Sequence, residues 1–343
     1  MKICFVIGTL EYGGAEKIMR HLIAYFSQNN DTSVILIDRA ESYDNLNDIV
    51  QYPILSLYKS SNRYWRTLKK QKVLKKIFKN NKFDVILSFG FVYNIDVICA
   101  ALFTKTKTII CERNNPYFDP ESKIQRIRRK IFYRYASYFV FQTTQIRDFF
   151  SKKISKRSVI IPNFIEYGKN KDKKYNPQKN SFATSARLDN RHKDQITLIR
   201  AFAKFLKNHQ NYTLDFYGDG PDKELLINEC KLLAINNFVI FHGKVSNPME
   251  EIKYSRAFIL TSKSEGMPNA LIEAMSYGMP CISSRCSGGG TEALIQDGEN
   301  GLLFDVGDVD ELCNLMEKTT NDDFCNRMGN EAYKINDTLS FEV

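Results

Sequence analysis

The chain has 343 residues, room for about two domains, and a hydrophobic fraction of 43% that excludes wholesale disorder. Eight cysteines without a CxxC pair and four histidines without a tight ligand spacing argue against a disulfide framework and a protein-held zinc site. The net charge of +10 is uneven: residues 1–165 hold 28 Lys and Arg against 13 Asp and Glu, hence +15, and the remainder is −5.

The opening run "MKICFVIGTL" has one Lys and a short apolar stretch ending in Gly8. It lacks the longer apolar core and cleavage site of a secretory signal, so it predicts a buried strand. The longest apolar run, Val97 to Phe103, is far below the roughly 18 residues a spanning helix requires. Several cysteines lie inside strand-like runs, which fits buried thiols in a reducing cytosol.

"GAEKIMRHLIAYFSQN" follows the first strand, with Ile18, Met19, Leu22, Ile23 and Phe26 at helical spacing. "SVILID", "VILSFG", "TIICER", "YFVFQT" and "SVIIPN" repeat the short apolar pattern, mostly with helix-like stretches between them. Continuous apolar strands separated by helices predict a parallel sheet covered on both faces. Residues 166–180, "EYGKNKDKKYNPQKN", are polar and charged and predict a linker. The alternation then restarts at "SFATSAR" and continues to the end of the chain. The expected architecture is two doubly wound α/β domains, residues 1–165 and 181–343, facing each other across a cleft. Ligands of such sheets bind outside the carboxyl ends of the strands.

The stretch "SEGMPNALIEAM" (264–275) follows the strand "AFILTS". Pro268 suits a first helical position and Gly278-Met279-Pro280 a stop, so a helix is expected from about Pro268 to Tyr277. Its free N–H groups near Asn269, Ala270 and Leu271 would face the strand's carboxyl end and form an anion site for a phosphate. Glu273, a turn further in, reaches far enough to hold a diol. Glu265 and Gly266 lie in the preceding loop. Ordinary dipole-matched acids at a helix start fit the same residues.

"SARLDNRHKD" (185–194) puts Arg187 at a strand end and Lys193 at the next helix start. The two cations can grip a diphosphate, Arg as a fork and Lys as a point charge; a solvated basic loop is the alternative. In "GTLEYGGAEK" (8–17), Gly13 and Gly14 open a helix, which allows close backbone approach to a phosphate or acceptor, or forms only a tight turn. In "ICERNNP", Glu112 and Arg113 end a first-domain strand, in a cleft or as a surface ion pair.

Together these stretches resemble the GT-B retaining glycosyltransferases of family 4, over nearly the whole chain. The resemblance rests chiefly on Glu265…Glu273, the family's E-x7-E pattern, and on "ARLDNRHK", with "YGDGP" (217–221), "GGAE" and "IPNFI" (161–165) in the expected order. It implies that Arg187 and Lys193 bind the donor diphosphate with the amides that follow Pro268. Glu273 would accept from ribose hydroxyls and Glu265 would orient the donor sugar. Gly14 would approach from the opposite domain, and the loop around His242, Gly243, Lys244 and Val245 would contact the base. It implies retention of configuration, a nucleotide-sugar donor with UDP favoured, and no metal or other cofactor. Ala186 and Asp194 stand where many members have glycine, and "CERNNP" where many have a histidine. Similar "ERN" sequence occurs in a subgroup that makes surface polysaccharides. The chain ends at "LSFEV", where members continue into a helix returning to the first domain, so truncation is expected. An epimerase of the same fold and a non-catalytic nucleotide-sugar-binding protein are the competing expectations.

The acid-free basic segments 59–82 and 123–135 lie in the first half. "YWRTLKKQKVLKKIF" mixes Trp65, Leu68, Val73, Leu74, Ile77 and Phe78 with lysines, as an interfacial helix on anionic lipid would. That suits a peripheral protein at the cytoplasmic membrane face acting on a membrane-anchored glycan acceptor. A solvated helix face is the alternative, and no nucleic-acid-binding motif accompanies the charge.

Overall fold

Short runs of Val, Ile, Phe and Cys form the strands because both of their faces meet helices. The computed structural model describes residues 1–11, 13–39, 41–43, 46, 49–58, 63–166 and 175–341. The chain divides into two compact units, Met1–Pro162 and Asn163–Glu342.

The first unit contains β1 (Lys2–Ile7), α1 (Gly14–Ser27), β2 (Asp31–Leu36), β3 (Val50–Pro53), α2 (Leu55–Tyr58), α3 (Arg63–Asn81), β4 (Val85–Phe89), α4 (Phe91–Ala101), β5 (Lys107–Cys111), α5 (Lys123–Phe132), β6 (Tyr138–Phe141), α6 (Thr144–Phe149), α7 (Lys152–Ser155) and β7 (Ser158–Ile160). Its seven strands run in the order β3-β2-β1-β4-β5-β6-β7, every pairing parallel. In α3, Leu74 and Phe78 are fully buried with Cys4, Val6, Ile35, Ile86 and Val97, and Val73 and Ile77 pack against them. The apolar side expected to meet lipid is therefore spent on the unit's own core. Only Trp65 and Leu68 of that set remain exposed.

The second unit contains β8 (Ile165–Glu166), β9 (Ser181–Ser185), α8 (Asn190–Lys193), α9 (Gln195–Phe205), β10 (Thr213–Tyr217), α10 (Lys223–Leu232), β11 (Val239–Gly243), α11 (Met249–Ile252), β12 (Ala257–Leu260), α12 (Asn269–Ser276), β13 (Cys281–Ser284), β14 (Leu302–Phe304), α13 (Val309–Lys318), α14 (Asp322–Tyr333), α15 (Ile335–Leu339) and β15 (Ser340–Phe341). Six strands form a parallel sheet ordered β11-β10-β9-β12-β13-β14, and β15 pairs separately with β8. Side chains alternate across the sheet. Phe182 and Ile259 enter one core with α9 and α13 residues, while Ala183, Phe258 and Leu260 enter the other beneath α12.

The boundary falls at Pro162/Asn163 rather than at 165, because Ile165 is committed to the β8–β15 pair in the second unit. Of the expected linker, residues 167–174 lie outside the described residues. The rest is anchored to the second unit: the Tyr175 hydroxyl donates to the Arg256 carbonyl at 2.6 Å, and the Gln178 amide to the Tyr254 carbonyl at 2.9 Å. All eight cysteines are free thiols, six of them buried. Among the described residues no helix is long and apolar enough to cross a membrane.

Candidate active site

In the second sheet β9 is flanked by β10 on one side and by β12 on the other. The chain order reverses there, and a doubly wound sheet opens a ligand crevice at that point. The loops after β9 and β12 carry the residues singled out by sequence. They are stitched together by one main-chain and one side-chain bond: the Lys263 amide donates to the His192 carbonyl at 2.8 Å, and the Thr261 hydroxyl to the Lys193 carbonyl at 2.8 Å.

Lys193 ends α8 and its ammonium lies 2.5 Å from Glu265 Oε1. Ser262 Oγ donates to the same oxygen at 2.6 Å. The sequence pattern assigns Lys193 to a diphosphate alone; the fold gives it a carboxylate as well, because the two loops meet. Arg187 is exposed beyond the end of β9, while its carbonyl holds the Gln195 side-chain amide at 2.8 Å. Asp194 has a left-handed backbone, φ 49° and ψ 41°, where family members often carry glycine. Its carboxylate takes bonds from Lys263 at 3.0 Å and from the Thr197 hydroxyl at 2.9 Å, which help hold a conformation Asp tolerates better than most residues.

"YGDGP" has a steric reason. A Cβ on Gly218 would fall 2.0 Å from the Ala186 carbonyl oxygen, and one on Gly220 would fall 2.3 Å from that of Leu188. The backbone bearing Arg187 thus lies directly against these glycines. Asp222 completes the clasp by accepting the Asn190 amide at 2.7 Å.

Pro268 precedes the helix rather than opening it: it is the extended cap residue, φ −78° and ψ 109°, and α12 begins at Asn269. No side chain caps this end. The first-turn N–H groups of Asn269, Ala270 and Leu271 therefore lack intrahelical partners and carry the positive end of the helix dipole. Asn269, Ala270 and Glu273 are half-buried at successive positions of one helix face, whereas Leu271 and Ile272 enter the core. Gly278, at φ 69°, ends the helix with amide bonds from Gly278 to Met275 and from Met279 to Ala274.

Sequence reasoning missed three supports. Ser262 is described above. Asn163 Nδ2 donates to the Met267 carbonyl at 3.1 Å and to Asn269 Oδ1 at 2.5 Å, tying "IPNFI" to the start of α12. Gly290 lies so close to the Gly266 carbonyl that a Cβ would meet it at 2.3 Å, and the Glu265 amide donates to the Ser287 carbonyl at 3.2 Å. "SGGG" (287–290), shortly beyond the end of β13 at Ser284, was the readable signal for this loop.

At the end of β11, His242 Nε2 lies 2.7 Å from Asp215 Oδ1 and its ring stacks on Tyr217 at 4.3 Å. Gly243 has φ 72°, with Lys244 and Val245 exposed after it.

The first-unit candidates are arranged differently from expectation. Gly13 caps α1 at φ 146°, but the Glu16 carboxylate folds over it, 2.0 Å from where a Cβ would stand. Gly14 therefore begins a helix whose positive end already meets an acid. Glu112 is fully buried: the Tyr133 hydroxyl donates to its Oε2 at 2.6 Å, and Oε1 has no hydrogen-bond partner among the described residues. Burial pushes its carboxyl up to about 7 despite the opposing charge of Arg129 and the Tyr133 bond. It is neither a surface ion pair nor open to an acceptor. Arg113 lies over the Phe89 ring at 4.6 Å, and burial pulls its guanidinium down to about 10.

Two family profiles match consecutive parts of the chain: Glycosyltransferase Family 4 over residues 12–168 and Glycosyl transferases group 1 over residues 168–335. The chain is a family 4 glycosyltransferase of GT-B fold. This transferase is 29% identical over 329 residues to the GalNAc-alpha-(1->4)-GalNAc-alpha-(1->3)-diNAcBac-PP-undecaprenol alpha-1,4-N-acetyl-D-galactosaminyltransferase of Campylobacter jejuni, covering 94% of this chain and 90% of the other. The fold of the transferase matches the Anabaena HepE structure in complex with UDP and glucose at a TM-score of 0.82, with 18% identity over 99% of this chain and 95% of the other. It also matches the apo lipopolysaccharide outer core galactosyltransferase WaaB at a TM-score of 0.75, with 22% identity over 99% and 94%.

Proposed function

We propose that the transferase moves a hexose or N-acetylhexosamine from a UDP-sugar to a lipid-linked or polysaccharide acceptor in surface-polysaccharide biosynthesis, with retention at the anomeric carbon. The observation that carries this reading is the Lys193–Glu265 pair at the switch point of the second sheet, one short loop before the uncapped start of α12. The UDP bound by HepE and the undecaprenol-linked glycan named for the Campylobacter relative support the donor and acceptor classes.

In this reading the donor diphosphate rests on the first-turn amides of α12 and between Arg187 and Lys193. Glu273, on the same helix face, accepts bonds from the ribose hydroxyls. Glu265 orients hydroxyls of the transferred sugar once Lys193 turns toward phosphate. The base lies along His242 to Val245. As the bond from the anomeric carbon to the phosphate oxygen breaks, its electron pair leaves with UDP. The cations and amides stabilise that growing charge and so lower the barrier. The acceptor hydroxyl forms the new bond on the same face, and its proton passes to a leaving phosphate oxygen. These groups supply the charge stabilisation that a divalent ion provides elsewhere, and the step needs no metal. The protein works at the cytoplasmic face of the cell membrane, where such acceptors are anchored.

Incubation with UDP-glucose, UDP-galactose and their N-acetylhexosamine counterparts, each with and without undecaprenyl-diphosphate-linked glycans, tests this. Acceptor-dependent UDP release and an α-linked product by mass spectrometry and NMR are expected. Isomerised donor formed without acceptor would instead mark an epimerase, and an inverted product would overturn retention.

A further inference from the structure

Helix α5 of the first unit is turned inside out. Against the unit it places Arg129, only 3% exposed, whose guanidinium donates to the carbonyls of Pro116 at 2.9 Å and Asp119 at 2.6 Å. The same guanidinium lies over the rings of Phe149 and Phe150, at 5.1 and 5.4 Å. Toward solvent the helix presents Ile124, Ile127 and Ile131, which are 71, 59 and 46% exposed, continued by the exposed Tyr135. The three isoleucines are three and four residues apart and form one stripe of the helix, and Tyr135 lies in the 3-10 turn that follows it. A surface helix of a globular protein normally does the reverse, with its apolar stripe on the core and its cations in water.

Lys123, Lys130 and Arg134 are exposed around the stripe, Arg128 is half-buried beside it, and no acid occurs from Lys123 to Arg147. We infer that this face of α5 docks on an anionic lipid surface, with the isoleucines at the boundary of headgroups and acyl chains and the cations on lipid phosphates. Lipid supplies both chemistries that the stripe presents, apolar depth and anionic charge. A second copy of the chain fits less well, since twofold pairing of the stripe would bring the cations of both copies together. The inference extends the membrane-face reading above and relocates the contact from α3, whose Leu74 and Phe78 are buried in the core, to α5.

The test is co-sedimentation of the full chain with phosphatidylglycerol-containing vesicles and with pure phosphatidylcholine vesicles. Binding is expected to the anionic vesicles only and to weaken with salt. The triple variant Ile124→Ser, Ile127→Ser, Ile131→Ser is expected to lose about tenfold or more in partitioning, because binding scales with buried apolar area. Its UDP affinity stays unchanged, which shows that it is folded. Trp65→Ser with Leu68→Ser on α3 is expected to bind vesicles as the unaltered chain does. Ile127→Trp in a Trp65→Phe background, where it is the sole tryptophan, is expected to shift its emission to the blue on anionic vesicles. Equal binding by the triple variant overturns the inference. So does loss of binding in the α3 variant, or absence of vesicle binding with a dimer that the triple variant abolishes. Vesicle binding without any sugar transfer leaves this inference standing and removes the proposed reaction instead.

Discussion

Lys193 and Glu265 lie 72 residues apart in sequence and 2.5 Å apart in space. Each belongs to a loop at the carboxyl end of a different strand, and the pair closes the crevice where β9 meets β12. In the proposed reaction Lys193 exchanges this carboxylate for a donor phosphate.

Removing either partner has separable consequences. Lys193→Met is expected to lower kcat by about 10²–10³-fold, the range for deleting one donor that stabilises developing charge. Glu265→Gln should reduce turnover while UDP affinity survives, since Gln can still accept from Ser262 Oγ at its 2.6 Å contact. Steady-state kinetics and UDP titration calorimetry check both; unchanged turnover in Glu265→Gln removes its assigned role.

Arg187 is exposed beyond the end of β9, so its loss should act on ligand more than on fold. Arg187→Ala is expected to weaken UDP binding by about 1.5–3 kcal/mol, the worth of a charge-assisted hydrogen bond, with an unshifted melting temperature. Arg187→Lys should restore only part of the affinity because the planar fork is lost. Equal UDP affinity in the alanine variant would count against the pocket.

Gly220→Ala places a Cβ 2.3 Å from the Leu188 carbonyl oxygen, in backbone that cannot yield cheaply. A loss of about 1–3 kcal/mol in stability is expected, as for other overpacked sites. UDP binding should weaken with it, because the displaced loop bears Arg187. Gly298→Ala is the converse case, a left-handed φ of 79° with nothing within 4 Å of the added carbon, so it reads backbone strain without a clash, whereas Gly220→Ala reads the clash. Urea melts and UDP titration compare the two.

Glu112 makes stability depend on pH. Its carboxyl is raised by burial from 4.5 to about 7, so the native chain keeps a proton that the unfolded chain releases earlier. Stability from this group is full below about 4.5 and is lost as pH rises through about 7. At about 1.4 kcal/mol per pKa unit the loss is on the order of 3 kcal/mol. Glu112→Gln should flatten that slope and stabilise the chain at pH above 7, since the amide oxygen can still accept from Tyr133. Urea midpoints across this pH range read the effect; a wild-type slope in the variant would sink it.

Much of the architecture was legible because its signals are local. Apolar runs such as "KICFVIG" mark strands, helical spacing in "GAEKIMRHLIAYF" marks α1, and Gly278 stops α12 at the expected place. The order of Arg187, Lys193, Glu265 and Glu273 along the chain was legible for the same reason. The partnership of Lys193 with Glu265, the covering of Gly13 by Glu16 and the burial of Glu112 under Tyr133 were not, since each joins a side chain to one supplied by packing.

The amino-acid sequence by itself determined two runs of alternating strand and helix and the strand ends at which charged residues would stand, because periodicity and turn chemistry act over a few residues. Only the tertiary structure decided which face of an amphipathic helix is inside. In α3 the apolar residues turn inward because β1, β2 and β4 offer an apolar floor. In α5 the cation Arg129 turns inward because the carbonyls of Pro116 and Asp119 and the rings of Phe149 and Phe150 await it, which leaves Ile124, Ile127 and Ile131 facing out. Both sequences carry lysine, arginine and isoleucine at helical spacing; the surface each helix is packed against makes the difference.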